Sequence, residues 1–281
     1  MNKVRWIAGA LATATVLVAF LPPRRIISIV PATTEMLFAI GAGDRVLAVG
    51  TYDHVPPEAA RLPRVGALLD PDVERILSLR PDLVVMYATQ AELRTQLERA
   101  GVPLFLYEHR GLADIFDTIR SLGGRVNLKD RADALAGSIK RQITDIRKRV
   151  AAASRPRTLL VFGREPGSLR GIEASGGVGF LHDMLETAGG ADVLADVKQQ
   201  SVTMTTEMVL ARAPEVIIEI RYSGEALTPS DLSAWSALGA VPAVRNHRVH
   251  ALLGEQFVVP GPRVGEATEQ LAHTIHSELK W

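Results

Sequence analysis

The sequence predicts an α/β protein with two Rossmann-like lobes, each built on a parallel sheet. The lobes would be joined by one long rigid helix, with a ligand cleft between them. Three observations predict this fold: short β-branched runs alternate with helical segments, one long helix interrupts the alternation, and a helix–stop–strand unit occurs twice. The 281 residues, 47% of them hydrophobic, suffice for two such lobes. A single larger doubly wound domain is the alternative.

Residues 1–23 have the pattern of a signal peptide or N-terminal anchor. Lys3 and Arg5 precede an apolar run from Trp6 to Leu21, as in secretory signals. The run is only slightly short of a membrane span, so an uncleaved anchor is the alternative to cleavage. The chain has no cysteine, which excludes a cysteine-linked lipid anchor and any disulfide. We therefore expect a periplasmic or otherwise extracytoplasmic protein.

Residues 24–128 are predicted to form the N-terminal α/β lobe. Short apolar runs predict four buried parallel strands: Arg25–Val30, Val46–Val49, Leu83–Met86 and Leu104–Tyr107. Helical segments are predicted between them: Thr34–Ile40, Asp72–Leu79 and Gln90–Ala100. Each helical segment is followed by glycine or proline, the usual stop signals, so the lobe has the order of repeated βαβ units.

Residues 129–154 are predicted to form the connecting helix. Apolar residues recur there every three or four positions, at Leu135, Ile139, Ile143, Ile146 and Val150. This spacing draws one narrow apolar stripe on a helix, with basic residues on the other faces. The stripe predicts one long helix, which would join the two lobes.

Residues 155–281 are predicted to form the C-terminal lobe. Strands are expected at Thr158–Phe162, Val216–Ile220 and Val249–Leu253, and a helix at Phe180–Ala188. Here "TTEMVLARAPEVII", from Thr205, repeats the plan of "DPDVERILSLRPDLVV", from Asp70. In both copies a glutamate stands seven residues before a proline, so the second lobe replays part of the first.

No signature of catalysis or of nucleic-acid binding is found. The formal net charge is +1, which gives no bulk positive field for a nucleic acid. Neither a GxSxG elbow nor a Walker loop occurs, and no histidine pair has the HxxxH spacing with glutamate that zinc enzymes use. We therefore expect no enzyme activity, no intrinsic cofactor and no bound metal of the protein's own.

Polar and aromatic residues follow the predicted strands in both lobes. In parallel α/β sheets, ligands sit at the C-terminal ends of the strands. The segments at these ends are 31–35, 51–54, 87–90, 163–166, 221–222 and 254–257. They combine aromatic, amide and a few charged groups without a nucleophile and base, which favours a binding cleft over a catalytic one.

Three phrases in this order give the chain a resemblance to a known family. They are "RIISIVPATTEMLFAIGAGDRVLAVGTYDHVPPEA", "DPDVERILSLRPDLVV" and "WSALGAVPAVRNHRV". Together they resemble the substrate-binding proteins of ABC importers for cobalamin, iron-siderophores and haem. The resemblance runs from about Arg24 to the C-terminus. It implies two lobes bridged by a rigid helix, a monomer, and a metal chelate as the bound ligand.

The resemblance also implies a partner, an ABC permease dimer in the cytoplasmic membrane. In the family each lobe presents one glutamate to one permease subunit, and by motif these are Glu74 and Glu207. Two like charges on two lobes suit two symmetric partners. The alternative is that each glutamate only favours the first turn of its helix through the helix dipole.

The resemblance leaves three ligand classes open. For a corrinoid, Tyr52 would stack on the ring, while positions often occupied by tryptophan are here Leu68, Tyr87 and Ser201. For haem, Tyr52, His54 or Tyr222 could supply an axial ligand. For an anionic ferric siderophore, the best-placed cations are Arg164 and Arg221. Cobalamin or a related corrinoid is the preferred class.

Residues just past the last strand complete the expected site. Glu255 and Phe257 are expected to face the cleft, whereas Arg263 is expected to brace the final helix. Two other functions remain open: a membrane-anchored ligand sensor, and a metal-dependent enzyme on the same scaffold. The absence of cysteine and the export signal count against the enzyme.

Overall fold

The computed structural model describes residues 21–222 and 229–281. The predicted signal peptide or anchor, apart from its last three residues, lies outside the described residues. None of the described helices is long and apolar enough to cross a membrane.

The first lobe is a four-stranded parallel sheet with helices on its faces. Its strands lie in the order β2-β1-β3-β4. They are β1 (Ile26–Ser28), β2 (Val46–Val49), β3 (Leu83–Tyr87) and β4 (Leu104–Tyr107). Its helices are α1 (Pro31–Ala39), α2 (Pro57–Ala60), α3 (Val73–Ser78), α4 (Ala91–Arg99) and α5 (Leu112–Arg125). All four strands stand where the sequence predicts them.

A single helix, α6 (Lys129–Val150), connects the two lobes. The predicted stripe is its inner face: Ile139, Ile143, Ile146 and Val150 are buried, and Leu135 is half-buried against the same core. This core is continuous, because one cluster of buried apolar side chains runs from β1 and α1 through α6 to the second lobe. The helix therefore shares its buried face with both lobes.

The second lobe holds a six-stranded sheet that is mixed and not wholly parallel. Its strands are β5 (Arg157–Gly163), β6 (Ile172–Ser175), β7 (Ala191–Asp192), β8 (Ser201–Met204), β9 (Val216–Arg221) and β10 (Val249–Leu253). Its helices are α7 (Phe180–Thr187), α8 (Thr206–Arg212), α9 (Pro229–Ser233), α10 (Pro242–Arg245) and α11 (Val264–Ile275). Strands β5, β9 and β10 are parallel neighbours, but β6 pairs antiparallel with β5 and β8. The expectation of a parallel sheet here is corrected, since a turn at residues 164–171 folds β6 back on β5 as a hairpin.

The repeated unit has the same local geometry in both lobes. The side chains of Asp72 and Thr205 cap α3 and α8, each accepting from the backbone N–H three residues on. Each helix is followed by a left-handed non-glycine residue directly before proline, Arg80 with φ 45° and Ala213 with φ 44°. Proline cannot continue a helix, so the chain turns there into a buried strand. The sequence repeat is thus a structural repeat.

An ion pair joins the lobes beside this shared core. Arg263, which precedes α11, donates through Nε to Glu35 of α1 at 2.9 Å, and its second guanidinium nitrogen contacts the other carboxylate oxygen. The Glu35 side chain is 6% exposed and that of Arg263 is 25% exposed. Arg263 was expected to brace the final helix, but its side chain makes no capping hydrogen bond to that helix and instead links to the opposite lobe. Burial is the largest influence on Glu35 and raises its pKa, while Arg263 opposes that shift.

Removing this link is expected to destabilise the fold. Arg263→Ala leaves the Glu35 carboxylate buried without its cation, a loss of about 3 kcal/mol in the free energy of unfolding. The control is Arg94→Ala, which breaks an exposed pair with Glu98 on α4 and should cost about 0.5 kcal/mol. Urea denaturation of the two variants measures the difference, and equal losses would contradict the structural role of the interlobe pair.

Candidate functional site

The site is a cleft formed by three adjoining cavities that cross from one lobe to the other. The first, about 510 Å³, lies in the first lobe beside Tyr52, Leu68 and Tyr87. The second, about 560 Å³, lies between the lobes and shares Tyr52 and Tyr87 with the first. The third, about 400 Å³, continues into the second lobe, where Ser201 lines it. The predicted cleft between the lobes is confirmed.

Exposed large apolar side chains concentrate around this cleft. Among the described residues eight such side chains are exposed, and four of them line the cavities: Tyr52 (68% exposed), Leu68 (43%), Leu69 (93%) and Tyr222 (47%). Soluble proteins seldom leave apolar groups clustered in water unless another molecule covers them. This clustering therefore marks the cleft as the place where a ligand binds.

The C-terminal ends of β3 and β4 form one wall of the cleft. Tyr87 ends β3 and Tyr107 ends β4, with ring centroids 5.8 Å apart in an edge-to-face arrangement. His109 stacks on Tyr107 at 5.7 Å and reaches the second and third cavities. Burial raises the pKa of Tyr87 to about 12 and lowers the pKa of His109, so both rings favour their neutral forms at neutral pH.

Hydrogen bonds fix the loops that carry the exposed wall residues. The Gln90 side chain accepts from the Tyr87 N–H at 3.1 Å and donates to the Leu68 carbonyl at 3.0 Å. The Arg64 guanidinium donates to the carbonyls of Gly50 at 2.8 Å and Asp53 at 2.7 Å. The loops at Leu68 and at Tyr52 are therefore held before any ligand arrives.

The first turn of α1 replaces a predicted loop. Residues 31–35 were expected as a strand-end loop, but the helix starts at Pro31, where proline is well suited to the first helical position. Pro31 and Ala32 still line the cleft. Glu35 is the fifth residue of the same helix and forms the interlobe pair with Arg263.

Three of the six predicted ligand-binding residues line the cleft. Tyr52 and Tyr87 line its first two cavities, and Glu255 lines the second. Leu68 and Ser201, which the resemblance suggests as wall positions together with Tyr87, line the cleft as well.

Arg164 and Arg221 were predicted to face the cleft, but neither of them lines it. The Arg164 side chain is 1% exposed and pairs with Glu219 of β9, which also accepts from the Trp235 indole at 2.6 Å. Arg221 pairs with Asp231 of α9. A backbone hydrogen bond from Gly167 and both arginines keep the pKa of Asp231 below its usual range. Both guanidinium groups thus neutralise buried or half-buried acids inside the second lobe.

The prediction that Phe257 faces the cleft is also wrong. Its side chain is fully buried in the shared core, in a 3-10 turn at residues 255–257. Gly254, with φ 137°, starts this turn, and a Cβ there would lie 2.1 Å from the Gln256 side chain. The turn rotates Phe257 inward and leaves Glu255 at the cleft.

Several wall residues were not singled out from the sequence. Tyr107 ends β4 and His109 follows it, so the same strand-end rule would have found them. Asp53, which lines the first cavity, was noted only as part of a loop. Val258, Val259 and Pro260 carry no chemical signature, and only the fold brings them to the cleft.

The cleft has no cationic wall. Among the described residues, its three cavities are lined by the acids Asp53, Asp70 and Glu255, by neutral polar and aromatic groups, and by no lysine or arginine. Such a surface offers apolar contact and hydrogen-bond acceptors. It suits a ligand that is neutral or positively charged.

Comparison with known proteins shows the family. The periplasmic binding protein family model matches residues 26–254, and the chain belongs to that family. It is 29% identical to an uncharacterised ABC transporter substrate-binding lipoprotein, YvrC, of Bacillus subtilis, over 91% of this chain and 81% of that one. It is also 29% identical to the vitamin B12-binding protein of Yersinia pestis, over 90% of this chain and 86% of that one.

Solved structures share the two-lobed fold. The periplasmic vitamin B12 binding protein BtuF of Vibrio cholerae matches with a TM-score of 0.77 and 25% identity, over 92% of this chain and 98% of that one. The periplasmic haem-binding protein BhuT in complex with two haems matches with a TM-score of 0.74 and 27% identity, over 91% and 99%. The chain is thus a binding protein of the periplasmic binding protein family, and the relatives described above are binding proteins for vitamin B12, for haem or for the substrate of an ABC transporter.

Proposed function

We propose that this protein captures cobalamin or a related corrinoid outside the cytoplasmic membrane and delivers it to an ABC import permease. The observation that carries the choice of ligand is the cleft wall, which among the described residues has exposed aromatic and aliphatic groups and no lysine or arginine. A corrinoid presents a large ring, for apolar contact, and peripheral carboxamides, which donate hydrogen bonds to acids and carbonyls. An extracytoplasmic location is supported by the relatives, one of which is a lipoprotein and another a periplasmic protein.

The same wall disfavours an anionic ferric siderophore. Anionic chelates are recognised by charge-assisted hydrogen bonds from arginine and lysine. Arg164 and Arg221, the two candidates for that role, are already paired with Glu219 and Asp231. Placing an anion beside Asp53, Asp70 and Glu255 would add repulsion.

Haem is the second candidate, because oxygen and nitrogen donors converge on the middle cavity. Tyr52, His54, His109 and Tyr222 line it, and tyrosine and histidine are haem iron ligands. The haem propionates would then have no cation in the described cleft wall and would have to remain in solvent. The lack of a cation in the described cleft wall therefore favours a corrinoid over haem.

Titration with three probes tests the ligand class. The full chain is titrated with cyanocobalamin, haemin and an anionic ferric catecholate, and followed by absorbance and calorimetry. We expect cyanocobalamin to bind at least about 100-fold more tightly than the other two, a difference of about 2.7 kcal/mol. Tyr52→Ala should weaken cyanocobalamin binding about tenfold, because contact with the tyrosine ring is lost. The control is Leu253→Ala, which should leave the affinity unchanged, since Leu253 is an exposed apolar residue of β10 that does not line the three cavities. Tighter binding of haemin or of the catecholate would contradict the assignment.

We further propose that Glu74 and Glu207 are the docking contacts for the permease. Both are exposed, and both are the second residue of a capped helix in the repeated unit. Hydrogen bonds from its own backbone N–H and from Thr205 and Thr206 lower the pKa of Glu207, so its charge is secured at neutral pH. Neither residue lines the cleft cavities, which separates delivery from ligand capture.

Reversing both charges tests the docking proposal. The double variant Glu74→Arg/Glu207→Arg should abolish uptake of the ligand by cells while leaving its affinity for the purified protein unchanged. The matched control, Glu92→Arg/Glu278→Arg, reverses one exposed acid in each lobe outside the repeated unit and should leave uptake near the wild-type rate. Normal uptake by the Glu74/Glu207 variant would refute docking through these residues.

A further inference from the structure

The cavity of the first lobe holds a buried carboxyl group whose role the fold does not explain. Asp53 follows β2, lines this cavity, and is 1% exposed. Neither of its carboxylate oxygens has a hydrogen-bond partner among the described residues. A buried acid without a partner is costly, because water no longer solvates its charge.

The three groups that most oppose the loss of charge on this carboxyl group, Thr34, Gly50 and Arg64, donate their hydrogen bonds to other acceptors. The Thr34 hydroxyl donates to the Ser28 hydroxyl at 2.8 Å, and the Gly50 N–H donates to the Ser28 carbonyl at 3.0 Å. The Arg64 guanidinium donates hydrogen bonds to three backbone carbonyls, those of Gly50, Asp53 and Ala60. The protein therefore holds Asp53 in place through its backbone and leaves its carboxyl group free to accept.

Local charges and burial together set the ionisation of this group. Burial raises the pKa of Asp53 to about 7. The nearby Thr34 hydroxyl, the Arg64 charge and the Gly50 N–H oppose this shift, although Thr34 and Gly50 direct their hydrogen bonds to Ser28, and the charge of Glu35 of α1 adds to the shift. The other titratable groups around the cavity are Tyr87 of β3, Tyr52 and His54 on the same loop, and Asp70 on the opposite rim. The carboxyl group is thus balanced between its neutral and charged forms, and a new hydrogen-bond donor would shift the balance to the charged form.

We propose that Asp53 is a ligand-binding residue whose carboxylate accepts a hydrogen bond from a carboxamide N–H of the ligand at the base of the first-lobe cavity. The inference rests on the proposed function, since a corrinoid is the candidate ligand that carries peripheral carboxamides. Under this proposal, acidic residues of the first lobe, and not the arginines of the second lobe, distinguish ligands by their polar groups. A carboxylate group of haemin or of a siderophore would be repelled at the same position.

The proposal has a definite sign of pH dependence. The ligand binds the ionised form of Asp53, so affinity is full above about pH 7 and declines as the pH falls through that value. Binding near pH 7 should release about half a proton, because about half of the unliganded molecules carry a protonated Asp53. An Asn at this position has the same shape but no charge to titrate.

Calorimetric titration with cyanocobalamin between pH 5.5 and 8.5 tests this assignment. Wild-type affinity is expected to fall at least about tenfold from pH 8.5 to pH 5.5, and Asp53→Asn to bind about tenfold more weakly than wild type at pH 8.5, with no change across the range. The matched control Glu58→Gln removes an exposed acid five residues away and should follow the wild type. A thermal melt of each variant verifies that it is folded.

Proton release from the wild type gives a readout that needs no variant. At pH 7, binding enthalpies measured in buffers of different ionisation enthalpy should report release of about 0.5 proton. Zero release, or Asp53→Asn with wild-type affinity and pH profile, overturns the role of Asp53 while leaving the corrinoid assignment intact. Failure of the wild type to bind cyanocobalamin at any pH overturns both.

Discussion

The ion pair between Arg263 and Glu35 is the interaction on which the geometry of the cleft depends. It joins the start of α11 to the middle of α1, so it ties the second lobe to the first where their backbones approach closely. A Cβ on Gly261 would lie 3.3 Å from the Glu35 carboxylate, which shows how near the connecting segment runs. With α6 packed against both lobes, two separate links hold the walls of the cleft at a fixed spacing.

Charge is distributed unequally between the interior and the cleft. The second lobe buries Glu219 in the middle of β9, where Arg164 neutralises its charge and the Trp235 indole N–H donates a hydrogen bond to it. The Arg164 guanidinium is therefore paired inside the lobe and is not available to bind an anionic siderophore. The cleft wall is left with acids and aromatic rings among its described residues, and the proposed preference for a corrinoid over an anionic chelate rests on this distribution of charge.

The elements of the fold were predictable because each has a local signature. The α6 stripe, the capped helices of the repeat and the apolar strands depend on residues close in sequence. The site was predictable only in part. Arg164 finds Glu219 across 55 residues, and the sole signal was an acid within the apolar run "VIIEIR". Phe257 turns inward because of a 3-10 turn that the strand-end rule cannot foresee. The freedom of Asp53 depends on where three separate donors point, which no spacing reveals.

The central claim, that the lobes are held at a fixed spacing, is tested most directly by a distance across the molecule. The sequence has no cysteine, so Glu74→Cys/Glu207→Cys places one spin label on each lobe without background. Pulsed electron paramagnetic resonance should show one narrow distance that changes by less than about 2 Å on addition of cyanocobalamin, as expected when a helix replaces a strand hinge. In an Arg263→Ala background the distribution should broaden. A shift larger than about 5 Å on ligand binding, or no effect of Arg263→Ala, would contradict the account.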